Sequence, residues 1–525
     1  MEDSLRIVGE YGTYQINIKL ILFGCAFLSN IYLIQLDIML KNPNLVIIEN
    51  DSFQKNISYI FDAKFCDKNK YKIEIDKNTI LKNWNYNFGF FCENEWYLNS
   101  IYFSVLIGTF FGLLFFSPIP DRIGRGKVLK YSMIFSCFLH LNFLFCLNAF
   151  HLILINFLGS INSFIFITSI VCISEFLPHE SNGFIIGIIN LVYLIYPIIL
   201  YVFLTLFNNW KPFFFFTALF NIFLAYYTFH NFLESPHWLF SIGQKIKCLS
   251  VLDRIALYNG TLNRWNEYQR IHIEDANRFG RPSTNFTKLF NFGLDSGEIE
   301  SDYKGIKIYD IFTFKSQKSI LILISIIIFF NSVFSAGILL VIKYKENYSG
   351  FFFNDLSVLK LIWTTGIVAG MISGYFSDIL GRKIIIIFGG LLGSIGFFIY
   401  IENDSEIFLD ITLFCSQGIN TILLIYIPEN ISTPIRNTFC GWFYLEFIII
   451  KIGMEFSYKY FNKDIFNYCV ILSGFLIGFC LLYMQETLNE NIQDIIPELK
   501  EKIETFENLN LKSFHSTEYP SFLIT

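Results

Sequence analysis

A charged turn that occurs twice constrains this chain more than any other feature. The first copy, Asp121 to Lys127, reads DRIGRGK, and the second, Ser377 to Lys383, reads SDILGRK. Their aspartates are 378 − 121 = 257 residues apart. Two other acidic pairs recur at nearly the same shift: Glu175 with Glu429 (429 − 175 = 254) and Glu234 with Glu486 (486 − 234 = 252). Landmarks that recur in one order indicate that the second half of the chain repeats the first.

Composition places the chain in a membrane. Of its 525 residues, 54% are hydrophobic and only 16% are charged, whereas about a quarter of the residues of a soluble domain are charged. The formal net charge of −5 argues against a nucleic acid as partner. The sequence contains no paired nucleophile and base, no metal-ligand spacing and no phosphate-binding loop, so we predict neither an enzyme nor a bound metal or cofactor.

About twelve apolar runs have the roughly 20 residues that a membrane-spanning helix needs. The first is read as a membrane helix because Glu2, Asp3 and Glu10 spoil the basic start of a signal peptide. The predicted fold is an all-α polytopic membrane protein with twelve transmembrane helices in two six-helix bundles related by pseudo-two-fold symmetry. The expected spans are 18–40, 98–118, 128–148, 151–174, 184–206, 212–232, 317–341, 359–378, 384–401, 407–427, 438–458 and 466–484. The expected domains are a first bundle at 1–232 that includes an extracellular loop domain at 41–97, a cytoplasmic linker at 233–316, a second bundle at 317–484 and a cytoplasmic tail at 485–525.

The short loops set the orientation. Basic residues such as Arg122, Lys127 and Lys383 follow the second and eighth spans, and short basic loops stay in the cytoplasm. An even number of spans then puts both termini in the cytoplasm, and we expect a plasma-membrane protein.

The loop at 41–97 is expected outside the cell. Its Asn56 begins an Asn-Ile-Ser acceptor pattern for a glycan, and Asn347 begins another in a later external loop. Its two cysteines, Cys66 and Cys92, are expected to form a disulfide in an oxidising compartment, with two free thiols as the alternative.

The repeated turn carries groups for an ionic latch. A carboxylate and a guanidinium at a helix end, such as Asp121 and Arg122, can bond to each other and to backbone groups of a neighbouring helix. Gly124 allows the tight turn between them and the next helix. The alternative is that these charges only anchor the helices at the interface. The predicted members of this cytoplasmic gate are Asp121, Arg122, Arg125, Glu175, Glu234, Asp378, Arg382, Glu429 and Arg436.

These motifs resemble those of the major facilitator superfamily. The Asp-Arg-x-Gly-Arg-x-Lys turn after the second span and Gly-x-x-Ser-Asp-x-x-Gly-Arg-Lys after the eighth are similar to its signature. The stretch Glu234 to Leu239, the stretch Glu429 to Asn437, the long external loop and Val8 to Gly12 resemble the branch that transports organic cations, organic anions and carnitine. The resemblance implies a carrier that moves a small organic ion by alternating access.

Two departures from the family pattern matter. Asn182 stands where the first-half counterpart of Arg436 is expected, since 175 + 7 = 182 and 429 + 7 = 436. Ile448 occupies the position at which members of the branch carry a charge that selects the substrate. The resemblance therefore does not decide the sign of the substrate's charge.

Ionisable residues inside spans are functional candidates. On the eleventh span Glu446 lies near mid-membrane without a partner on its own helix, whereas Lys451 and Glu455 are four residues apart and can pair. The alternative for Glu446 is a packed carboxylate bonded to a neighbouring helix. The predicted substrate-binding residues are Glu446, Lys451, Asn331, Ser335, Trp363, Gln417, Asn420, Tyr193 and Tyr196, of which the aromatic ones can hold a cation on their ring faces.

Three functions remain open from the sequence. The first is a transporter of an organic cation or zwitterion, with Glu446 as its counter-charge and the coupling ion unspecified. The second is a sugar-type carrier, facilitative or proton-coupled. The third is a membrane receptor or scaffold of the same fold that has lost transport, which the departures at Asn182 and Ile448 suggest.

Overall fold

The computed structural model describes residues 2–9, 11–29, 31–40, 45–49, 53–57, 71–75, 82–90, 94–177, 182–279, 315–347, 356–460 and 462–488. Twelve helical crossings lie within these residues, six in each half. Eight crossings contain a described stretch that is long and apolar enough to span a bilayer. The fold is therefore that of a polytopic helical membrane protein, as the sequence predicts.

Broken helices characterise the first half. Its first crossing is interrupted by a turn at Gln35, and its second contains a π-helical turn at Gly112–Phe116. The crossings are formed by α2 (Thr13–Ser29), α3 (Ile31–Ile34) and α4 (Leu36–Met39), then α6 (Glu95–Phe111) and α7 (Ile119–Ile123), α8 (Arg125–Leu144), α9 (Ala149–Ile161) with α10 (Phe164–Phe176), α11 (Asn182–Phe207) and α12 (Lys211–Asn231).

The second half has longer, continuous crossings. They are α16 (Lys315–Asn347), α17 (Leu356–Leu380), α18 (Arg382–Asn403), α19 (Glu406–Asn430), α20 (Arg436–Tyr460) and α21 (Lys463–Leu481), with a 3₁₀ turn at Thr433–Ile435 before α20.

The two halves pack by the same plan. In the first half α6 lies against α9 and α8 against α12. The corresponding helices of the second half make the corresponding contacts, since α17 lies against α19 and α18 against α21. The repeat seen in the sequence is thus a repeat of helix packing.

Glycines allow the halves to meet closely. A Cβ atom built on Gly187 of α11 would lie 2.5 Å from the carbonyl oxygen of Gly370 on α17, and Gly183 of α11 meets Gly374 of α17 in the same way. In the other half-to-half contact, Gly441 of α20 lies against Ser117, just before α7. Small residues at helix crossings let backbones approach, which is a main source of packing energy in a bilayer.

Apolar side chains face outwards. Phe138, Phe223, Phe388 and Phe479, on α8, α12, α18 and α21, are between 57% and 63% exposed. These four helices contribute to the lipid-facing surface, because a membrane protein places its apolar side chains towards the acyl chains.

The long loop after the first crossing contains a sheet that the all-α expectation did not include. Three antiparallel strands, β1 (Leu45–Glu49), β2 (Phe53–Ile57) and β3 (Tyr71–Ile75), pair in the order β2-β1-β3, with Leu45 opposite both Ile57 and Ile75. The short helix α5 (Trp84–Phe88) follows.

A layer of short helices covers one end of the bundle. It comprises α1 (Glu2–Gly9), α13 (Pro236–Ser241), α14 (Lys245–Asn259) and α15 (Leu262–Phe279). The sequence predicts a surface helix at Cys248 to Leu257, and α14 includes it. Cys248, Leu252 and Ile255 form its buried face, which holds the layer against α1, α2 and α13.

Candidate functional site

Each of the two charged turns contains a glycine with left-handed backbone. Gly124 has φ +117° and Gly381 has φ +102°. A Cβ atom on Gly124 would lie 2.5 Å from Oε2 of Glu234, and one on Gly381 would lie 2.7 Å from Oε2 of Glu486. Each turn therefore requires glycine for two reasons: the backbone has a positive φ, and a side chain there would collide with the neighbouring carboxylate.

Each turn supplies an aspartate to a helix of the opposite half. Asp121 accepts hydrogen bonds from the backbone N–H of Thr438 at 2.7 Å and of Asn437 at 3.3 Å, in the first turn of α20. Asp378 accepts from the N–H of Gly183 at 3.0 Å and of Phe184 at 2.9 Å, in the first turn of α11. A carboxylate there satisfies free backbone donors and meets the positive end of the helix dipole.

Both turns consequently lie at the same end of the molecule, which we call the turn face. The segment from the end of α10 to the start of α11 contacts both turns, since Glu175 pairs with Arg125 and Gly183 bonds to Asp378. Opening the turn face requires the bonds of Asp121 and Asp378 to the opposite half to break.

A fully buried arginine organises the first turn. Arg125 pairs with Glu175 at 2.7 Å and with Asp121 at 3.3 Å, and donates to the carbonyl oxygen of Thr433 at 2.8 Å. Glu175 also accepts from Ser235 Oγ at 2.6 Å. The buried arginine is therefore paired with charges of opposite sign, although its Nη1 has no hydrogen-bond partner in the described part of the chain.

Arg382 has the equivalent role in the second turn. It pairs with Glu429 at 3.2 Å and with Asp378 at 3.3 Å. Thr487 Oγ1 donates to Glu429 at 2.5 Å, in the place of Ser235 in the first half. The two ionic clusters thus share one design.

A third acidic pair fixes the turns to the chain that follows each half. Glu234 accepts from the N–H of Gly126 at 2.8 Å. Glu486 accepts from the N–H of Arg382 at 2.9 Å and of Lys383 at 3.1 Å. These contacts hold each turn against the segment after the last crossing of its half.

Eight of the nine predicted gate residues meet in these clusters, and Arg122 does not. The side chain of Arg122 is exposed, and Asp121 pairs with Arg125, four residues along, instead. The expected bond between Asp121 and Arg122 is therefore wrong. The repeat contains the signal, because Arg125 aligns with Arg382 (382 − 125 = 257) whereas Arg122 aligns with Ile379 (379 − 122 = 257).

Sequence reasoning also missed groups that complete the gate. Thr438 Oγ1 donates to Asp121 at 2.7 Å, and Asn437 Nδ2 donates to the carbonyl oxygen of Ser117 at 2.6 Å. Ser235 and Thr487 could have been found, because each directly follows a repeated glutamate.

Several polar side chains meet between the crossings, away from the turn face. Asn331 of α16 donates to Asn420 of α19 at 2.7 Å. Asn190 of α11 donates to Thr421 of α19 at 2.7 Å and so joins the two halves. In the described part of the chain, Oδ1 of Asn331 and Oγ of Ser335 are buried without a hydrogen-bond partner. Gln417 is half-buried one turn before Thr421.

Glu446 is half-buried and bonded to a single hydroxyl. Both of its carboxylate oxygens lie 3.0 Å from Ser325 Oγ on α16. No lysine or arginine of the described part of the chain pairs with it. Ile448, two residues along, is buried. Lys451 is exposed, and its pairing with Glu455 stays a prediction.

Tyr196 belongs to a polar chain that sequence reasoning missed. Its hydroxyl donates to Gln35 Oε1 at 3.5 Å, and Gln35 Nε2 donates to Asn156 Oδ1 at 3.1 Å. Its ring packs against Phe27 and Phe213. Tyr196 is fully buried. Any part in substrate binding would therefore come from its hydrogen-bonded hydroxyl and not from an exposed ring face.

The remaining predicted residues fall partly outside the described residues. The side chains of Tyr193 and Trp363, on α11 and α17, are among those not described, as are Cys66 and Cys92. The two glycan acceptors lie on described backbone, Asn56 in β2 and Asn347 at the end of α16.

A clasp holds the N-terminal segment to the layer of short helices. Asn259 Nδ2 donates to the carbonyl oxygen of Val8 at 3.1 Å and to Gln15 Oε1 at 2.9 Å, and its Oδ1 accepts from the N–H of Tyr14 at 2.9 Å. A Cβ atom on Gly12 would overlap the Asn259 side chain. The close approach of Asn259 thus explains why a glycine stands at position 12, at the end of the stretch Val8 to Gly12.

The same layer of short helices changes the pKa of a tyrosine that lies close to α1. Burial raises the pKa of Tyr268, and the nearby carboxylate of Asp3 raises it further. Asp3 lies on α1 and Tyr268 on α15, so the shift reports the close packing of these two helices.

Comparison with known proteins agrees with this architecture. The family model of the Major Facilitator Superfamily matches residues 94–445, which is 445 − 94 + 1 = 352 of the 525 residues. No curated protein matches the chain in sequence.

Two solved structures illustrate the similarity of fold. The proton:xylose symporter XylE bound to 6-bromo-6-deoxy-D-glucose has a TM-score of 0.59 and 14% sequence identity, and the match covers 92% of this chain and 98% of the symporter chain. The human organic anion transporter MFSD10 (TETRAN) has a TM-score of 0.56 and 12% sequence identity, and the match covers 89% of this chain and 99% of the transporter chain. At these identities the likeness concerns the fold.

The predicted architecture of twelve helices in two bundles is thereby confirmed. Duplicated charged turns, two bundles that pack by one plan and a matching family model over most of the chain lead to one conclusion: the chain belongs to the major facilitator superfamily, a family of secondary transporters.

Proposed function

We propose that the protein carries a small organic cation or zwitterion across the plasma membrane by alternating access, with Glu446 as the counter-charge. The observation that carries this proposal is the state of Glu446, whose carboxylate has one hydroxyl as its partner in the described part of the chain. An ionised carboxylate has about four acceptor sites. A carboxylate at mid-membrane depth that is so poorly satisfied is suited to meet a cation from a watery cavity.

The turn face supports the alternating-access part of the proposal. Asp121 and Asp378 each bond to a helix of the opposite half, so the halves are held together there. We propose that this is the cytoplasmic gate in its closed state. The basic residues Arg122, Lys127 and Lys130 beside it favour a cytoplasmic location, and with it cytoplasmic termini.

Uptake of a labelled substrate panel tests the substrate class. Cells that express the protein are offered a quaternary ammonium cation, a betaine-type zwitterion, an organic anion and a hexose. We expect uptake of the cation or the zwitterion, and a loss of about tenfold or more in Glu446→Gln because the counter-charge is gone. Ser325→Ala is the matched control, since it removes the hydroxyl and keeps the charge. Cation uptake by Glu446→Gln at the wild-type rate would overturn the role of Glu446.

A sugar-type carrier is the second candidate. It is supported by the neutral hydrogen-bonding groups between the crossings, above all Asn331 Oδ1 and Ser335 Oγ, which are buried without partners in the described part of the chain. The proton:xylose symporter also shares the fold. Hexose uptake that is lost in Asn420→Ala and kept in Glu446→Gln would favour this candidate. Absence of exchange with every member of the panel would favour the receptor or scaffold reading.

A glycan shift and terminal tags test the orientation. We propose that Asn56 is glycosylated outside the cell, that Cys66 and Cys92 pair there, and that both termini are cytoplasmic. Enzymatic deglycosylation should change the mobility of the wild type and leave Asn56→Gln/Asn347→Gln unchanged. Tags at either end should be accessible to antibody only after permeabilisation, and a tag exposed on intact cells would contradict the orientation.

A further inference from the structure

A groove on the turn face carries an excess of positive charge that the gate does not use. Its volume is about 1030 Å³, and its walls come from the first charged turn, from α13 and α14 and from the 3₁₀ turn before α20. Pro434, Ile435 and Thr438 line it from the second half. The groove therefore lies across the junction of the two halves.

Five cationic and two acidic side chains line the groove. Both acids are already engaged, because Asp121 accepts from the first turn of α20 and Glu234 accepts from the N–H of Gly126. The cations are Arg122, Lys127, Lys130, Lys247 and Arg254. The groove is thus strongly basic, and its own carboxylates do not neutralise it.

The cations themselves have no acidic partner in the part of the chain that the structure describes. Lys247 Nζ donates to the neutral Gln244 at 3.0 Å, and Lys130 lies over the ring of Phe229 at 5.7 Å. Arg122, Lys127 and Arg254 are exposed. Five convergent cations without anions repel one another, and a bound anion would relieve that repulsion.

Topology alone does not account for the arrangement. Basic residues in the turn, such as Arg122 and Lys127, are expected from the orientation rule for short loops. Lys247 and Arg254 lie instead on α14, beyond the last crossing of the first half, and 254 − 247 = 7 residues place them on one face of that helix. That face lines the groove, while Cys248 and Leu252 bury another.

We propose that this groove binds an anion that carries several phosphate groups, and that the bound anion stabilises the closed turn face. Arginine forks and lysine ammonium groups are the side chains that bind phosphate most effectively. The apolar walls at Phe232, Leu239 and Ile242 suit a ligand with an apolar part. The groove lies at the ends of membrane-spanning helices, and basic pockets on the cytoplasmic side of such helices bind phosphorylated lipids.

Stabilisation of the closed state follows from the position of the groove. Its wall includes Asp121 from the first half and Thr438 from the second, which are bonded to each other. When the halves separate at the turn face, the groove loses its second-half wall. A ligand that binds the closed form better shifts the equilibrium towards it. The inference rests on the proposed function in one respect: the ligand reaches the groove from the cytoplasm.

Binding to the purified full-length protein tests the inference. The lipid arm uses nanodiscs of phosphatidylcholine with either phosphatidylinositol bisphosphate or an equal charge of phosphatidylserine, and the soluble arm uses inositol hexakisphosphate. The readouts are the dissociation constant and the rise in melting temperature. We expect the bisphosphate lipid or the hexakisphosphate to bind, and Lys247→Gln/Arg254→Gln to weaken binding about tenfold or more, because two cationic contacts to the anion are lost.

Matched controls separate this site from general attraction. Lys211→Gln/Lys463→Gln removes two exposed lysines that do not line the groove, and it should bind like the wild type. Binding in the lipid arm alone identifies a lipid headgroup, and binding in the soluble arm alone identifies a free polyphosphate. Equal binding to phosphatidylserine, or equal loss in both double variants, would overturn the proposal. Because the assay needs no transported substrate, its failure is distinguishable from failure of the proposed function.

Discussion

Arg436 and Asn182 occupy equivalent positions at the start of α20 and α11, yet only Arg436 forms an ion pair between the halves. Its Nη1 donates to Glu175 at 3.0 Å. Asn182 is fully buried, and neither its Oδ1 nor its Nδ2 has a hydrogen-bond partner in the described part of the chain. Glu429, the counterpart of Glu175, pairs with Arg382 of its own half. The closed turn face therefore has an ion pair between the halves at only one of the two equivalent positions that the repeat provides.

Arg436→Asn should favour the open turn face. The variant loses a charged hydrogen bond between the halves, and such a bond contributes about 1.5–3 kcal/mol. The open population should rise about tenfold or more. Spin labels at Tyr131 and Tyr483, both exposed near the turn face, would report this as a longer distance in a background without other reactive cysteines.

Asn182→Arg supplies the opposite change at the equivalent position. It restores the charge that the repeat lacks and should shift the same label distance towards the short, closed value. A shift of both variants towards the longer, open distance would contradict a role for ion pairing at the second position.

Asp378→Asn should slow transport while the protein still reaches the cell surface. The amide keeps the shape of the carboxylate but carries no charge for the N-terminus of α11 or for Arg382. Its single oxygen can replace only one of the two carboxylate oxygens that accept from Gly183 and Phe184, because its NH₂ group is a donor. We expect turnover to fall about tenfold, measured as uptake per molecule at the surface. If the variant is instead retained inside the cell and unfolded, the anchoring role of the charged turn gains support.

Gly441→Ala should weaken the closed turn face by crowding. A Cβ atom at Gly441 would overlap the side chain of Ser117 from the first half, and such overpacking costs about 1–3 kcal/mol. Gly453→Ala is the matched control on the same helix, because a Cβ atom there meets no atom within 4 Å. The spin-label distance should lengthen in the first variant only. A similar change in both would indicate an effect on the helix itself.

The crossings could be predicted from the sequence because each is a continuous apolar run bounded by charge, glycine or proline. The span expected at 128–148 is α8 at Arg125–Leu144, and that expected at 212–232 is α12 at Lys211–Asn231. The sheet at Leu45 to Ile75 was missed. In a chain so rich in apolar residues, its short strands do not stand out from their surroundings.

The acids and arginines of the gate could be predicted from the sequence, but the groups that bond to them could not. Asp121 and Asp378 recur at one shift, which marks them in the sequence. Their acceptor role depends on backbone N–H groups of Thr438 and Gly183, and every residue except proline has such a group, so the residue types carry no signal for it. The partner of Glu446 was equally hidden, because Ser325 lies 446 − 325 = 121 residues away on another helix.

Asn259→Ala should release the N-terminal segment from the layer of short helices. The wild-type amide bonds to Val8, Tyr14 and Gln15, and each such bond contributes about 0.5–1.5 kcal/mol. Hydrogen exchange of the amides in α1 should therefore accelerate about tenfold or more, because local opening becomes less costly.

Asn266→Ala is the matched control for the clasp, since Asn266 is an exposed asparagine on α15 that takes no part in it. Exchange of α1 should stay at the wild-type rate in this variant. Gly12→Val provides an independent arm, because its side chain would occupy the space of the Asn259 amide while leaving that residue in place. Faster exchange in Asn259→Ala and Gly12→Val together identifies the clasp as the attachment of α1. Unchanged exchange in both would mean that the apolar contacts of Leu5 and Val8, which are buried, hold the helix without it.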